Sequence, residues 1–288
     1  MRVAGSGEVL GLLVNAEGDV IPRDSPVLRA DDLGVLRGDG VFERLLVVDG
    51  RPDLLDEHLA RLARSAAMMG LPLPPERVWR RGVDAAVRAW RGGAEMSVRL
   101  VITRGAEGVD APTWYLLADP VSPALLDQRR DGVSVLSLER GLDPELTERA
   151  PWLLMGAKSL SYAVNMAAQR WAREHDADDA IFVAPDGQVL EGATSAVVIA
   201  RGRTLLSPPL SLGILPSITL GRLFAAAEAD GWLVGFERLT VHDLHRAEGV
   251  WLVSSVRLAA RVHTLDGKPL ADVGPHEQVA RLASPRPV

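Results

Sequence analysis

Polar and apolar residues alternate in short runs near the start of the chain, and between those runs the apolar positions recur every three to four residues. Val9 to Asn15 followed by Glu17-Gly18-Asp19, and Val41 to Val48 followed by Asp49-Gly50, predict two hairpins. Leu59, Leu62, Ala63, Ala66 and Met69 share one helical face and predict a helix over 56–69 that Gly70 ends. A second helix is expected over 75–90, stopped by Gly92-Gly93, with strands over 96–103 and 113–118. Asp119-Pro-Val-Ser-Pro123 interrupts the pattern. We therefore expect an N-terminal α/β domain over 1–118, a linker over 119–124 and a C-terminal α/β domain over 125–288. In the second domain a strand over 133–138 and a loop rich in Glu, Arg and Pro lead to a helix over 159–174. Strands follow over 180–184 and 188–190, joined by Pro185-Asp186-Gly187, and over 195–200 and 204–206. A helix over 217–229, a helix start at Thr240-Val-His-Asp243 and an apolar strand over 249–253 come next, and Ser284 to Val288 is expected to fray.

Composition narrows the function. An apolar content of 47% in 288 residues suffices for a buried core, and a net charge of −6 opposes a nucleic-acid partner. Apolar runs such as 193–200 are too short to cross a bilayer, and the start carries no signal-like segment, so a cytoplasmic protein without membrane contact is expected. No cysteine is present, and the six histidines show no metal-ligand spacing, so no metal site is expected. Of the 32 basic residues only Lys158 and Lys268 are lysine. Lys268 lies in the turn sequence Asp266-Gly267-Lys268-Pro269 and needs no further reason. Lys158 lies in the mostly apolar stretch 152–162, where an ammonium is poorly solvated. Desolvation favours the neutral amine, the form that attacks an aldehyde.

A lysine-bound pyridoxal phosphate needs a carboxylate at its ring nitrogen, donors for its phosphate and a polar group for its phenolic oxygen. Glu191 ends a predicted strand before Gly192 and is either that carboxylate or a solvated strand end. The loop 212–217 runs into a helix near Ile218 and Thr219, where free N–H groups and the helix dipole favour an anion, although Ser217 reads equally well as an N-cap. Arg61 is displaced from the apolar face of its helix, as either a solvated side chain or a phosphate clamp. Tyr162, one helical turn after Lys158, is a phenolic-oxygen partner or a core tyrosine. Ser254 and Ser255 end a strand and are ambiguous alone.

Five segments resemble, in chain order, the motifs of class IV pyridoxal-phosphate enzymes. They are Arg37-Gly-Asp-Gly-Val-Phe-Glu43, His58-Leu-Ala-Arg61-Leu-Ala-Arg-Ser-Ala66, Lys158-Ser-Leu-Ser-Tyr162 with Asn165, Asp186-Gly-Gln-Val-Leu-Glu191-Gly-Ala-Thr-Ser195, and Gly213-Ile-Leu-Pro-Ser-Ile-Thr219. The resemblance implies a two-domain α/β (α+β) fold of type IV, with the cofactor pyridoxal 5'-phosphate in the interdomain cleft, in a homodimer. It implies Lys158 as the Schiff-base lysine and Glu191 as the ring-nitrogen partner. It also implies Arg61, the backbone at Ile218 and Thr219, and Ser255 around the phosphate, Tyr162 near the phenolic oxygen, and Thr194 and Ser195 as further cofactor contacts.

Within that family the spacing from Lys158 through Tyr162 to Asn165, and the segment Ser254-Ser-Val-Arg257, look most like the lyases that convert 4-amino-4-deoxychorismate to 4-aminobenzoate and pyruvate. The stretches around Asp31-Asp32, 148–152 and 258–267 resemble actinobacterial members of that branch. Arg37 and Arg257 are candidates for substrate carboxylates, with a structural ion pair as the alternative. D-amino-acid aminotransferases carry an Arg-x-His pair after Thr-Arg-Gly. Here Thr103-Arg104-Gly105 leads into 106–112 with neither. Two departures run the other way: Glu43 stands where some lyases have a hydroxyl, and Ala196 replaces the usual Asn. An aminotransferase of D- or branched-chain amino acids therefore stays open, as does a scaffold of this class that has lost activity.

Overall fold

The computed structural model describes residues 11–141, 143 and 146–285; positions 9–10 of the first expected hairpin and 286–288 of the expected frayed end lie outside them. The chain divides into two compact units. One runs to Ser122 and takes in Ala157–Ser161; the other comprises Pro123–Gly156 and the chain from Tyr162 onward.

The first unit contains β1 (Leu12–Val14), β2 (Val20–Ile21), α1 (Leu33–Arg37), β3 (Gly40–Val48), β4 (Arg51–Pro52), α2 (Leu55–Met68), α3 (Glu76–Ala89), β5 (Glu95–Thr103) and β6 (Thr113–Pro120). Among the described residues the strands form one sheet in the order β2-β1-β6-β5-β3-β4, every pair antiparallel. Strand alternation decides what each face carries. Val41, Leu45 and Val47 of β3 join Val98, Leu100 and Ile102 of β5 in a core sealed by Leu59, Leu62 and Ala66 of α2 and by Trp79, Val83 and Ala86 of α3. Gly82 lets α3 approach, since a Cβ there would stand 2.9 Å from Leu116 Cδ1. Phe42, Arg44 and Leu46 point to the opposite face.

The expected linker is shorter than the sequence suggests. Strand β6 runs through Pro120, and a helix, α4 (Pro123–Asp131), starts after only Val121 and Ser122. The second unit continues with β7 (Val133–Glu139), α5 (Leu146–Arg149), α6 (Ala163–Glu174), β8 (Asp179–Val183), β9 (Val189–Gly192), β10 (Ala196–Arg201), β11 (Thr204–Ser207), α7 (Ile218–Ala229), β12 (Leu233–Phe236), α8 (Val241–Arg246), β13 (Gly249–Ser254), β14 (Leu258–Leu265), β15 (Lys268–Pro269) and α9 (His276–Ala283). Its sheet runs β12-β11-β10-β13-β14-β7-β8-β9, with β15 beside β14. Central strands are covered on both faces: Val197, Ile199, Val250 and Leu252 enter one core, while Val198, Ala200, Trp251 and Val253 enter another with Leu223 and Ala227 of α7. Their sequences accordingly read as unbroken apolar runs. Thr240 caps α8 with a reciprocal capping box to Asp243, matching the expected helix start.

The largest departure is at Lys158. The sequence expectation runs a helix from Ser159, whereas α6 begins only at Ala163. Residues 158–160 are drawn into pairing with β3 instead: Phe42 N–H donates to the Lys158 carbonyl at 3.1 Å and Leu160 N–H to that of Gly40 at 2.8 Å, with Ser159 opposite Val41. Tyr162 is therefore not one helical turn beyond Lys158 and does not share a helical side with it. It stands just before α6, half-buried.

Candidate active site

In the first unit the chemistry gathers around β3. Phe42 and Glu43 are adjacent, so their side chains emerge on opposite faces of the sheet. Glu43 faces α2 and is fully buried. Arg61 donates to it through Nε (2.7 Å to Oε1) and Nη2 (2.8 Å to Oε2), and His58 Nδ1 lies 2.7 Å from Oε2. Burial alone would push this carboxyl up; the Arg61 hydrogen bonds and charge, aided by His58, outweigh it and hold the carboxyl at about 2. Glu43 is thus an anion near neutral pH and has no proton to give. Arg61 is buried, which excludes the solvated reading of its position on α2. One helical turn further, Ser65 accepts the Lys158 N–H at 3.1 Å.

Lys158 is half-buried at the sheet edge, its Nζ 4.6 Å from the centre of the Phe42 ring. The ring face supplies an apolar and weakly electronegative surface for the amine. Arg37 ends α1 exposed, without a hydrogen bond or ion pair among the described residues. A cavity of about 290 Å³ in this unit is lined by Leu33, Pro72, Arg104 and residues of 106–112. Its arginine is already held by Asp39 (2.6 Å) and the Met69 carbonyl (2.7 Å), so the cavity offers little chemistry.

In the second unit Glu191 lies on β9. Its Oε1 accepts from Arg140 Nη1 at 2.9 Å, and its Oε2 from the Leu215 N–H at 3.1 Å. The Leu215 contact ties the strand to the loop entering α7. Ser217 caps that helix by accepting the Leu220 N–H at 3.2 Å, which leaves the first-turn N–H groups of Ile218 and Thr219 without intrahelical acceptors. Thr219 is buried and its hydroxyl donates to Ser255 Oγ at 3.3 Å, so strand end and helix start meet. Thr194 and Ser195 form the bend between β9 and β10, and Asn165 of α6 supports it by donating to the Ala193 carbonyl at 2.7 Å. Arg257 is buried and bonds Asp179 (2.6 Å), Gln128 (3.1 Å) and Ser195 Oγ (3.5 Å). That is the structural ion pair, and its donors are already engaged. Ala196 sits in an apolar core, where an amide would be buried among hydrocarbon.

Carboxylate, helix-start amides and paired hydroxyls in one connected cluster have the chemistry to meet a pyridine nitrogen and a phosphate. Sequence reasoning missed Arg140 and Leu215, which only the fold brings to Glu191.

The profile of the family described as Amino-transferase class IV matches residues 40–265. The chain belongs to that family. A bifunctional aminodeoxychorismate lyase / D-amino acid transaminase of Mycobacterium tuberculosis is 46% identical over 276 residues, covering 91% of this chain and 96% of the relative. Among solved structures, a hypothetical aminotransferase from Mycobacterium tuberculosis in its PLP-bound form superposes with a TM-score of 0.92 at 47% identity, covering 95% of this chain and 97% of that one. A fold IV-transaminase from Curtobacterium pusillum follows with a TM-score of 0.89 at 38% identity, covering 95% and 97%. The fold expected from the motifs is therefore the fold observed: mixed α/β, of type IV.

Proposed function

We propose that this class IV enzyme uses pyridoxal 5'-phosphate to convert 4-amino-4-deoxychorismate to 4-aminobenzoate and pyruvate, with Lys158 as its reacting amine. The observation that carries the reading is the joint presence of Lys158, bridged to β3 with its amine over the Phe42 ring, and 46% identity to a relative whose name includes aminodeoxychorismate lyase. When bound, the cofactor supplies the sink for the electrons released at the substrate carbon. The protein does the rest. Lys158 would hold the cofactor aldehyde and serve as the base for the proton on the substrate carbon bearing nitrogen. Glu191, fixed by Arg140 and Leu215, would face the ring nitrogen and favour its protonated form. Arg61, the amides of Ile218 and Thr219, and Ser255 would hold the phosphate; Tyr162, Thr194 and Ser195 would contact the ring substituents. Glu43 is no proton donor to the departing enolpyruvate. Its work is to fix Arg61.

The name of the same relative includes D-amino acid transaminase, which favours a second reading: nitrogen transfer from a D-amino acid to a keto acid through the same lysine. Purified protein loaded with cofactor should release 4-aminobenzoate and pyruvate from aminodeoxychorismate. Turnover of D-alanine with 2-oxoglutarate and none of aminodeoxychorismate defeats the lyase reading. We further propose a cytoplasmic homodimer. Val164 and Trp171 of α6, with Trp152, expose apolar surface of the kind a second copy covers. Light scattering that returned a monomer would refute it.

A further inference from the structure

Helix α2 buries three polar side chains, His58, Arg61 and Ser65. The first two are accounted for by Glu43. Ser65 is not: it is 1% exposed, one helical turn beyond Arg61, while Leu62 and Ala66 beside it on the helix enter the apolar core. Packing of the helix does not ask for a hydroxyl there, since alanine has the higher helix propensity and buries no polar atom. A buried hydroxyl needs a partner. The Ser65 oxygen finds one 93 positions away, accepting the Lys158 N–H at 3.1 Å. The other side of Lys158 is held by β3, where Phe42 N–H donates to its carbonyl at 3.1 Å. Both peptide groups flanking the Lys158 Cα are thus hydrogen-bonded, one to α2 and one to β3, and together they set the direction of its Cα–Cβ bond. The side chain so directed brings Nζ to 4.6 Å from the centre of the Phe42 ring. The circuit closes within the first unit: Glu43 follows Phe42, Arg61 bonds Glu43, and Ser65 lies one turn from Arg61.

Resting on the reading of Lys158 as the reacting amine, we infer that Ser65 is a positioning residue: by accepting the Lys158 N–H it holds that residue against β3 and keeps the amine over Phe42. The local sequence works against this placement. Residues 159–162 contain neither Pro nor Gly, and α6 follows at Ala163 without a side-chain cap, so tertiary hydrogen bonds are what keep the helix from starting earlier. Ser65 supplies one of those bonds from a side chain. An amine that must meet an aldehyde gains from being held in place, because freedom given up in folding is not lost again in the reaction.

The test compares wild type with Ser65→Ala. In protein without cofactor, hydrogen exchange is measured at the amides of 157–161 and of β5. The Lys158 amide should exchange about fivefold or more faster in Ser65→Ala, the factor for one lost hydrogen bond, with the β5 amides unchanged. Titration with pyridoxal 5'-phosphate, followed through the visible absorbance, should show its dissociation constant raised by a similar factor. Exchange and cofactor affinity that both match wild type overturn the inference. So does exchange that quickens equally across the unit, as lost packing alone would give, or a faster Lys158 amide with cofactor affinity unchanged. If Lys158→Ala keeps the visible absorbance, the reading of the amine falls and takes this one with it. If Lys158→Ala loses that absorbance while Ser65→Ala behaves as wild type, this inference falls alone. Should Ser65→Ala fail to fold, Ser65→Cys, which keeps the volume and weakens the acceptor, carries the same comparison.

Discussion

The two faces of the first sheet treat charge in opposite ways. On the helix side, Glu43 is matched by Arg61 and His58 until every oxygen has a donor. On the other side, Arg44 and Arg99 face each other across the strands, and Arg44 Nε is buried without a hydrogen-bond partner among the described residues. Adjacent positions on one strand thus obey different rules. Charges serving the fold are satisfied within the chain, because an unmatched buried charge costs several kcal/mol. The facing arginines are instead a cost that the sheet carries.

The contrast can be broken at several points. The largest effect is expected at the segment bridged to the edge of β3: Lys158→Ala should lower turnover by about 10²–10⁴-fold or more and abolish the visible absorbance of lysine-bound cofactor. A spectrum and rate near wild type would remove the chemistry from this lysine. On the satisfied face, Arg61→Met leaves Glu43 buried without its main partner and should cost on the order of 3–5 kcal/mol in urea denaturation. A change below 1 kcal/mol would mean that the network is not what holds the helix side together. Acid should reveal the same network. The Glu43 carboxyl stands at about 2 when folded, against an ordinary 4.5, so its contribution is fully present above pH 4.5 and is lost as pH falls through about 2. The loss is on the order of 3 kcal/mol, and Glu43→Gln should flatten that limb of the stability profile. The smallest effect belongs to the unsatisfied face. Arg99→Gln should raise stability by up to about 1 kcal/mol, a gain that added salt reduces. Destabilisation there would show that Arg99 serves the fold.

Legibility followed the range of the interactions involved. The helices α2, α3 and α7 and most strands were readable because their apolar periodicity records which face is covered. Helix α4 was not, since it buries none of its residues and so has no apolar stripe to read. Strand β14 was hidden by Arg261 and His263, which break its apolar run. The candidate site divides in the same way. Lys158 stood out because lysine is nearly absent elsewhere, and Glu191 and Thr219 stood out through motif. Their partners did not: Arg140 reaches Glu191 from 51 positions away, and nothing local marks it. The expected helix at Lys158 was misplaced for a related reason. Residues 159–162 have no strong local bar to helix, yet a bridge from Ser159 to Val41 of β3, more than a hundred positions earlier, holds the segment out of the helix.

By itself the sequence determined which residues could react and which faces of the helices and strands would be buried, because both follow from side-chain chemistry and short-range period. Only the tertiary structure decided which charges meet. It made Arg61 the partner of Glu43, gave Arg257 to Asp179, and left Arg44 facing Arg99. Strand register and long-range contact set those distances, and no local pattern in a chain encodes them.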